Sequence, residues 1–434
     1  KYILDMHLGI KDVEVICDQL DFAAEQGTFS PVISAFEELT KIIRTKIKSL
    51  PLTILGVEPI GPSLRYASLE IPKSLDSFKA SPSKLGPNFL VHKAILRVEG
   101  SGKWPQDPHA SGLLKQAFLL QLTRLLAAEA YLQASFAKDF LDVACEGFVF
   151  RLYLTFNGEL QLLKRHGLES SEALERLTST LPRHARAIHC LHTGNVLFGP
   201  SVRLAKRFMS SQLLMHTVLS EELVELLMAH VFTESGKFDA PHSSWTGFLR
   251  FVHLLATFDF EAGPLVAQFD HHSIVEPSTY DREKYCLAVF ASYDEGRVST
   301  WSIPSDKKAC LVELRKLCLA ALKHLKTSPA SSHELLFKRS LSKAFSGVLN
   351  LSTSGLTLSK PSQLAIKTAS LQADFLRYLP GFSPAELLLE DLERSFGKHA
   401  QFFYDGNQTI CYRSMDGQLD EEALRKFCGV LLKD

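Results

Sequence analysis

The stretch FLVHKAILRVEGSGKWP, residues 89–105, places an apolar run, a glycine-rich turn and a Trp-Pro pair in direct succession. Near its end the apolar run alternates, with Leu96 and Val98 separated by Arg97, and a two-residue period is that of a β-strand. Beyond the turn, the pattern of residues 112–133 predicts a long helix. A strand followed by a turn and a long helix predicts a domain that mixes helix and sheet.

Helix and strand patterns before residue 89 and after residue 133 add further elements to this domain. Ser30-Pro31 is a helix-start signal, and the amphipathic helix that follows should end at Leu50-Pro51. Residues 52–57 and 64–71 predict two further strands. Two more extended runs, 148–156 and 160–164, flank Asn157-Gly158, a dipeptide typical of a tight turn, and therefore predict a β-hairpin that closes the domain.

Helical signals dominate from about residue 172 onward. The predicted helices cover residues 202–216, 221–232, 245–257 and 306–325, with a short extended segment at 286–292. In the third helix the apolar residues recur at helical spacing and predict one buried stripe, formed by Trp245, Phe248, Leu249, Val252, Leu255 and Ala256.

Serine-rich segments at 327–332 and 352–362 indicate linkers. A helix predicted at 384–396 and a hairpin of 401–404 with 409–413 indicate a small third domain. We therefore expect an α+β protein with a mixed-sheet domain at 1–172, a mainly helical domain at 173–327 and an α/β domain at 333–434. Three domains agree with what a chain of 434 residues allows.

The composition narrows the class of protein. Hydrophobic residues make up 46% of the chain, which indicates folded domains with sizeable cores. Lys plus Arg equals Asp plus Glu at 48 each, so contact with nucleic acid must come from local patches. The eight Cys form no Cys-x-x-Cys pair, which favours reduced thiols and excludes zinc fingers. No apolar run approaches the length of a membrane span, and the absence of an initiator Met leads us to expect a fragment of a longer protein.

The carboxylates needed for two-metal catalysis are missing from the sequence pattern. Nucleotidyl transfer by two metals requires an Asp-x-Asp pair on one strand and a third carboxylate beside it, and the chain contains no Asp-x-Asp. The available candidates, Glu70 and Glu99, are expected to be surface or hydrogen-bonded carboxylates. The segment Gly100–Lys103 departs from a phosphate-binding loop, because Arg97 and Trp104 occupy positions where such a loop needs Gly and Ser or Thr. We expect no catalytic residue, no metal and no cofactor.

Two groups of basic residues are candidates for contact with nucleic acid or a protein partner. Arg203, Lys206 and Arg207 are spaced so that three cations project from one side of a helix, which indicates either phosphate binding or a solvated face. Arg183 and Arg186 lie in a histidine-rich helical segment, which also contains His184, His189 and His192. This spacing matches no standard zinc site, so we expect a polar or RNA-facing surface there.

Four segments together resemble the Nrap family, also called the nucleolar protein 6 family, of eukaryotic pre-ribosome assembly. They are VEGSGKWP at 98–105, PSVRLAKR at 200–207, TGFLRFVHLLATFD at 246–259 and QFFYD at 401–405. The resemblance implies a nucleotidyltransferase-like domain followed by a helical domain similar to that of poly(A) polymerases and oligoadenylate synthetases. The family carries two such pairs, and this chain resembles the second pair with the terminal domain.

The resemblance also implies a function. Members of the family act in the small-subunit processome of the nucleolus, so the expected function is that of a non-catalytic scaffold in pre-rRNA processing and small-subunit assembly. The expected partners are pre-ribosomal RNA, small nucleolar ribonucleoprotein and other processome proteins, with no membrane. Two alternatives remain: an active RNA nucleotidyltransferase, and a plain RNA-binding module.

Overall fold

The chain, in a computed structural model, folds as two compact units. The structure describes residues 22–46, 50–72, 74, 91–129 without 103, 132–215 without 138, 218–234, 239–269, 280–327, 336–337, 344–351, 384–404 and 409–428 without 416 and 418. The sheet unit is formed by residues 23–186, and the helical unit by the described residues within 187–355 and 384–434. The three domain ranges expected from the sequence stay predictions. Apart from Thr327, both predicted linkers lie outside the described residues.

The sheet unit is built on one mixed sheet. Its elements are α1 (Phe22–Lys46), β1 (Ile54–Pro59), β2 (Val91–Val98), α2 (Pro108–Ala127), β3 (Gln133–Phe136), β4 (Phe140–Cys145), β5 (Phe148–Phe156), α3 (Glu159–Arg165) and α4 (Ser170–Glu175). The strand order is β1-β2-β5-β4-β3, in which β2 and β5 run parallel and the other neighbours antiparallel. This confirms the expected mixed sheet, in which β2, from the stretch at 89–105, lies next to the central strand β5.

One face of this sheet forms the core. Because side chains alternate along a strand, Leu96 and Val98 on β2 lie on the same face as Leu152 and Leu154 on β5. Helices α1 and α2 cover that face with apolar residues, and the resulting core includes Val32, Leu39, Ile43, Phe118, Leu122 and Leu126. The opposite face carries charged residues of β1, β2, β4 and β5.

The strand predicted at 64–71 is wrong. Residues Pro62–Arg65 form a short 3-10 turn, in which the amide of Leu64 donates to the carbonyl of Gly61. The side chain of Arg65 is 1% exposed and donates from Nη1 to the carbonyl oxygen of Ile60 at 2.5 Å. A buried arginine that satisfies its own backbone holds the segment in a turn, and Tyr66 ends it with a positive φ of 62°.

The hairpin predicted around Asn157-Gly158 is also wrong. Gly158, with φ of 98°, begins helix α3, and Leu162 of that helix packs into the core. The hairpin partner of β5 is instead β4, and the turn between them is Glu146-Gly147, both with positive φ as a type I′ turn requires. An Asn-Gly pair supplies positive φ for a turn or for a helix start, so local sequence alone does not choose between them.

Other predicted elements are confirmed with shifted ends. Helix α1 begins at Phe22 and contains Pro31, so the predicted start at Ser30-Pro31 is wrong. The chain continues after α4 and a π-turn with α5 (Leu181–Gly194), α6 (Phe198–Ser211), α7 (Glu221–Thr233), α8 (Ser244–Thr257), β6 (Leu265–Ala267), β7 (Tyr285–Leu287), β8 (Val289–Ala291), β9 (Ile303–Pro304) and α9 (Lys308–Thr327). The boundary between the two units falls within α5. None of the described helices is both long and apolar enough to cross a bilayer.

The last part of the helical unit is a small sheet with two helices. It consists of β10 (Gly347–Asn350), α10 (Pro384–Phe396), β11 (Ala400–Tyr404), β12 (Thr409–Ser414) and α11 (Glu421–Cys428), with strand order β10-β12-β11. This confirms the predicted hairpin of β11 and β12, whose tip lies outside the described residues. Arg413 on β12 binds Glu313 on α9 with two hydrogen bonds of 2.9 and 3.2 Å, which fixes the small sheet to α9.

Helix α8 is the centre of the helical unit. The predicted stripe is confirmed, since all six residues of it are 0–3% exposed. Phe248 packs against Phe208, Trp245 and Phe337, with ring centroids 5.2–5.9 Å apart. Gly247 permits a close approach of α6, because a Cβ at this position would lie 2.9 Å from the Cβ of Ser201. The Thr-Gly-Phe sequence of α8 therefore serves helix packing.

We predict that Phe248→Ala lowers the free energy of unfolding by about 3–5 kcal/mol, because a fully buried aromatic ring is replaced by a cavity. Denaturant unfolding followed by tryptophan fluorescence measures the change. The control is Leu319→Ala on α9, where the side chain is 48% exposed and the change should stay within about 0.5 kcal/mol. Equal stability of the two variants would contradict the assigned core.

Candidate functional site

The candidate site is the sheet face opposite the helices of the sheet unit. Its charged residues are Glu58 on β1, Lys93 and Arg97 on β2, Asp142 on β4 and Arg151 on β5, which we call the polar face. Strand register places them together, since Lys93 lies beside Arg151 and Asp142 lies across from Arg151. Three cations and two acids therefore share this face, whereas two-metal catalysis would need several carboxylates that converge on one place.

Both acids of the polar face are bound to arginines. Arg151 holds Asp142 with two hydrogen bonds, from Nε and Nη2, each 2.8 Å long. The side chains are 13% and 5% exposed, and the Arg151 guanidinium lies 3.9 Å from the ring centroid of Phe140. Burial raises the pKa of Asp142, and the bond to Arg151 opposes that rise. This geometry matches the bidentate arginine–carboxylate pair found in structural ion pairs.

Glu58 is paired in a similar way at the other side of the sheet. Arg97 lies 2.9 Å from it through Nε and donates a further hydrogen bond of 3.0 Å from Nη2. The same guanidinium also donates to the carbonyl of Thr178 at 2.5 Å, so Arg97 links the sheet to the π-turn after α4. Strands β2 and β5 separate Glu58 from Asp142, which puts the two carboxylates about 14 Å apart at the usual strand spacing. One pair of metal ions, about 4 Å apart, cannot be bound by both.

The two carboxylates expected from the sequence lie elsewhere. Glu70 is exposed and follows the 3-10 turn, so it is not on a strand, and Glu99 is half-buried just beyond β2. Glu58 and Asp142 were missed. The alternation of Leu141, Val143 and Cys145 contains the signal that would have placed Asp142 on the opposite face of a strand. Among the residues that the structure describes, no group of three His, Cys, Asp or Glu is arranged to hold a metal.

The glycine-rich turn after β2 is held by packing. Trp104 stacks on Phe156 with ring centroids 3.8 Å apart and donates from Nε1 to the carbonyl of Glu99 at 2.9 Å. A Cβ on Gly100 would lie 2.6 Å from the carbonyl oxygen of Asn157, so this glycine is required by a close approach of backbone. Lys103 lies outside the described residues. The turn therefore connects β2 to α2.

Buried histidines in this chain are structural. His92 on β2 is 1% exposed, lies between the rings of Phe148 and Phe150, and is 2.6 Å from the hydroxyl of Ser63. Burial lowers the pKa of His92 to about 4, so it is neutral at physiological pH. His192 on α5 also has its pKa lowered to about 4, first by burial and then by Arg203 and His189.

The candidate contact residues have different environments. Arg183 and Arg186 on α5 are exposed, as is Arg207 on α6, whereas Arg203 is half-buried. Lys206 is wholly buried, and its Nζ lies 2.7 Å from both Glu221 and Glu225 of α7. The interpretation of Lys206 as part of an exposed basic stripe is therefore wrong. Its spacing fits the stripe, but α7 packs over this side of α6 and presents two carboxylates to it.

With this geometry established, the chain can be assigned to the class of nucleotidyltransferase-like folds followed by a poly(A) polymerase-like helical region. Residues 17–193 match the family described as Nrap protein nucleotidyltransferase domain 4, and residues 195–343 match Nrap protein PAP/OAS1-like domain 5. The chain belongs to the Nrap family, which confirms the resemblance inferred from its segments.

Individual proteins named nucleolar protein 6 also match the chain. The chain is 28% identical to nucleolar protein 6 of Xenopus laevis over 93% of its own length and 40% of that protein. It is 28% identical to nucleolar protein 6 of Homo sapiens over 87% of the chain and 37% of that protein, and 31% identical to that of Drosophila yakuba over 74% and 28%. The chain thus spans 28–40% of the length of these relatives. Among solved structures, an E. coli CdnC:HORMA-deltaN complex overlaps 76% of this chain and 95% of its own, with a TM-score of 0.44 and 11% identity.

We predict that Arg151→Met destabilises the sheet unit by about 3–5 kcal/mol at neutral pH, because Asp142 is left buried without its partner. The pKa of Asp142, already raised by burial, rises further in the variant, so the folded variant binds a proton that the unfolded chain releases. The stability deficit should therefore shrink as pH falls from 7 toward about 5. Urea unfolding across this range measures it, with the exposed Arg44→Met as control, and a deficit that does not change with pH would contradict the assignment.

We predict that Lys206→Met lowers the free energy of unfolding by about 3–5 kcal/mol, because Glu225 is 0% exposed and loses its cation. The double variant Lys206→Met with Glu225→Met should recover most of this loss, because a buried pair replaced by apolar residues is often neutral. Arg207→Gln on the same helix should change stability by less than about 0.5 kcal/mol. Thermal melts compare the three, and a Lys206→Met variant as stable as Arg207→Gln would show that the lysine is solvated.

Proposed function

We propose that this chain is a non-catalytic scaffold of a nucleolar ribonucleoprotein that acts in pre-rRNA processing and assembly of the small ribosomal subunit, as part of the small-subunit processome. The relatives that match most of its length are nucleolar protein 6 sequences, which supports a nuclear and nucleolar location and a role in ribosome biogenesis. The proposed partners are pre-ribosomal RNA, small nucleolar ribonucleoprotein and other processome proteins.

The observation that supports a non-catalytic function is the state of the polar face. Two-metal nucleotidyl transfer needs carboxylates that converge on ions about 4 Å apart. On this face Asp142 and Glu58 are each bound by an arginine and are separated by two strands. An arginine that occupies both oxygens of a carboxylate with hydrogen bonds competes with a metal for the same lone pairs. The fold is therefore used here for its shape.

Two alternative functions predict different measurements. An active RNA nucleotidyltransferase would incorporate nucleotide in the presence of a divalent ion. A plain RNA-binding module would bind RNA but would not associate with processome proteins. The exposed Arg183, Arg186 and Arg207, together with the half-buried Arg203, remain candidate contact residues of the scaffold. Lys206 is removed from this set because it is buried.

We predict that the chain incorporates no nucleotide into RNA when supplied with radiolabelled ATP, a mixed-sequence RNA and Mg²⁺ or Mn²⁺. An active poly(A) polymerase in the same buffer is the positive control. Two variants are assayed in parallel, the single Glu58→Gln and the double Glu70→Gln with Glu99→Gln. Neither should change the amount of radiolabel incorporated into RNA. Incorporation by the parent chain that one of these variants abolishes would contradict the proposal, because it would identify a functional metal ligand.

A further inference from the structure

Helix α9 presents an unusual exposed face. Its buried side is apolar and includes Leu311, Leu314, Cys318 and Leu325. Its exposed residues are Lys308, Ala309, Val312, Arg315, Lys316, Leu319, Ala320, Lys323, Lys326 and Thr327. Five of these are cations. Lys308, in the first turn, is paired with Glu261, and we call the other four, Arg315, Lys316, Lys323 and Lys326, the basic face of α9. None of them belongs to the basic residues singled out from the sequence.

Among the residues that the structure describes, no acid neutralises the lysines of the basic face. Helix α9 contains one acidic residue, Glu313, and that residue is bound to Arg413. Within the described part of the chain, no carboxylate lies within ion-pair distance of Lys316, Lys323 or Lys326. Three other exposed lysines, Lys41, Lys164 and Lys426, differ, since each lies within 3.2 Å of a glutamate.

The helix that packs beside α9 adds no negative charge. Helix α8 has no acidic residue, and it places Arg250 and His253 on its more exposed side. The pKa of His253 is lowered, first by burial and then by the positive charge of Lys326. Arg315 donates to the carbonyl of Ala256 at the end of α8, so its guanidinium is held in place at the edge of the face.

The geometry of the face matches a chain of phosphates. With a helical rise of about 1.5 Å per residue, Lys316 and Lys326 are about 15 Å apart along the axis. Successive phosphates of one nucleic-acid strand lie at intervals of several ångströms, so such a line of cations can follow several of them. Helix α9 contains no Phe, Tyr or Trp on which a base could stack. Recognition would therefore concern the phosphate backbone, without preference for sequence.

We propose that the basic face of α9 binds the phosphate backbone of RNA. This inference rests on the proposed function, because it names a surface through which such a scaffold contacts pre-ribosomal RNA. An acidic protein segment is the other occupant to consider, and it would use Val312 and Leu319, which are 46% and 48% exposed. Two separate aliphatic side chains are common on protein surfaces, whereas four cations on one helix face, three of them lysines with no carboxylate at ion-pair distance among the described residues, are the stronger feature.

The test measures RNA binding by the full chain at a series of salt concentrations. Fluorescence anisotropy with a labelled mixed-sequence single-stranded RNA compares the parent with a variant carrying Lys316→Gln, Lys323→Gln and Lys326→Gln. The control carries Lys41→Gln, Lys164→Gln and Lys426→Gln and so has the same net charge. We expect the first variant to bind more weakly and to lose about two units from the slope of log K against log salt, at about 0.7 per phosphate contact on a single strand. The control should retain both affinity and slope.

Further variants separate this inference from the alternative occupant. Val312→Ala with Leu319→Ala should bind RNA as the parent does, and thermal melts of all variants should be unchanged because the altered residues are exposed. Equal losses in the α9 variant and its control would overturn the inference, since net charge would then explain binding. The same variants are also expressed in cells and tested for co-purification with pre-ribosomal particles. If the Val312→Ala, Leu319→Ala variant is lost from the particles while the lysine variant is recovered normally, the inference is overturned in favour of an acidic protein segment. Either result leaves the proposed scaffold function standing, because that function depends on the absence of nucleotide incorporation and on recovery of the parent chain with the particles.

Discussion

The parallel pairing of β2 with β5 is the constraint on which the sheet unit depends. Two parallel neighbours cannot be joined by a tight turn, so the chain between them must cross over the sheet. The crossover contains α2, which covers the core face, and then β3 and β4, which extend the sheet beyond β5. With α1 and α2 on one face, charged residues on β2, β4 and β5 are confined to the other. The position of the polar face thus follows from strand order.

Arginine–carboxylate pairing then determines what the polar face can do. A buried or half-buried acid is stable only with a cation or hydrogen-bond donors, and here arginines supply both. Metal binding requires the opposite arrangement, in which several acids face one another and the ion relieves their repulsion. The same sheet can therefore support a catalytic centre or a rigid scaffold, depending on which side chains occupy a few positions.

Two lysines on helices of the helical unit show how packing changes the meaning of a basic residue. Lys206 is in a sequence pattern that predicts an exposed stripe, but α7 covers it with Glu221 and Glu225. Lys316 lies on α9 and stays exposed, and the acid nearest to it in sequence, Glu313, is bound to Arg413 from the small sheet. The positive charge of a lysine in the sequence therefore did not show whether its side chain would be buried, as for Lys206, or exposed, as for Lys316.

The sequence by itself determined the fold class, the family, most helices, the buried stripe of α8 and the absence of an Asp-x-Asp pair. These features depend on residues close together in the chain, where side-chain period and motif spacing act locally. Only the tertiary structure decided which strand pairs with β5, that Gly158 starts a helix, and which acid each arginine or lysine meets. Such pairings join residues tens of positions apart, as Arg97 with Glu58 or Arg413 with Glu313. Their geometry depends on the path of the whole chain, which no local pattern contains.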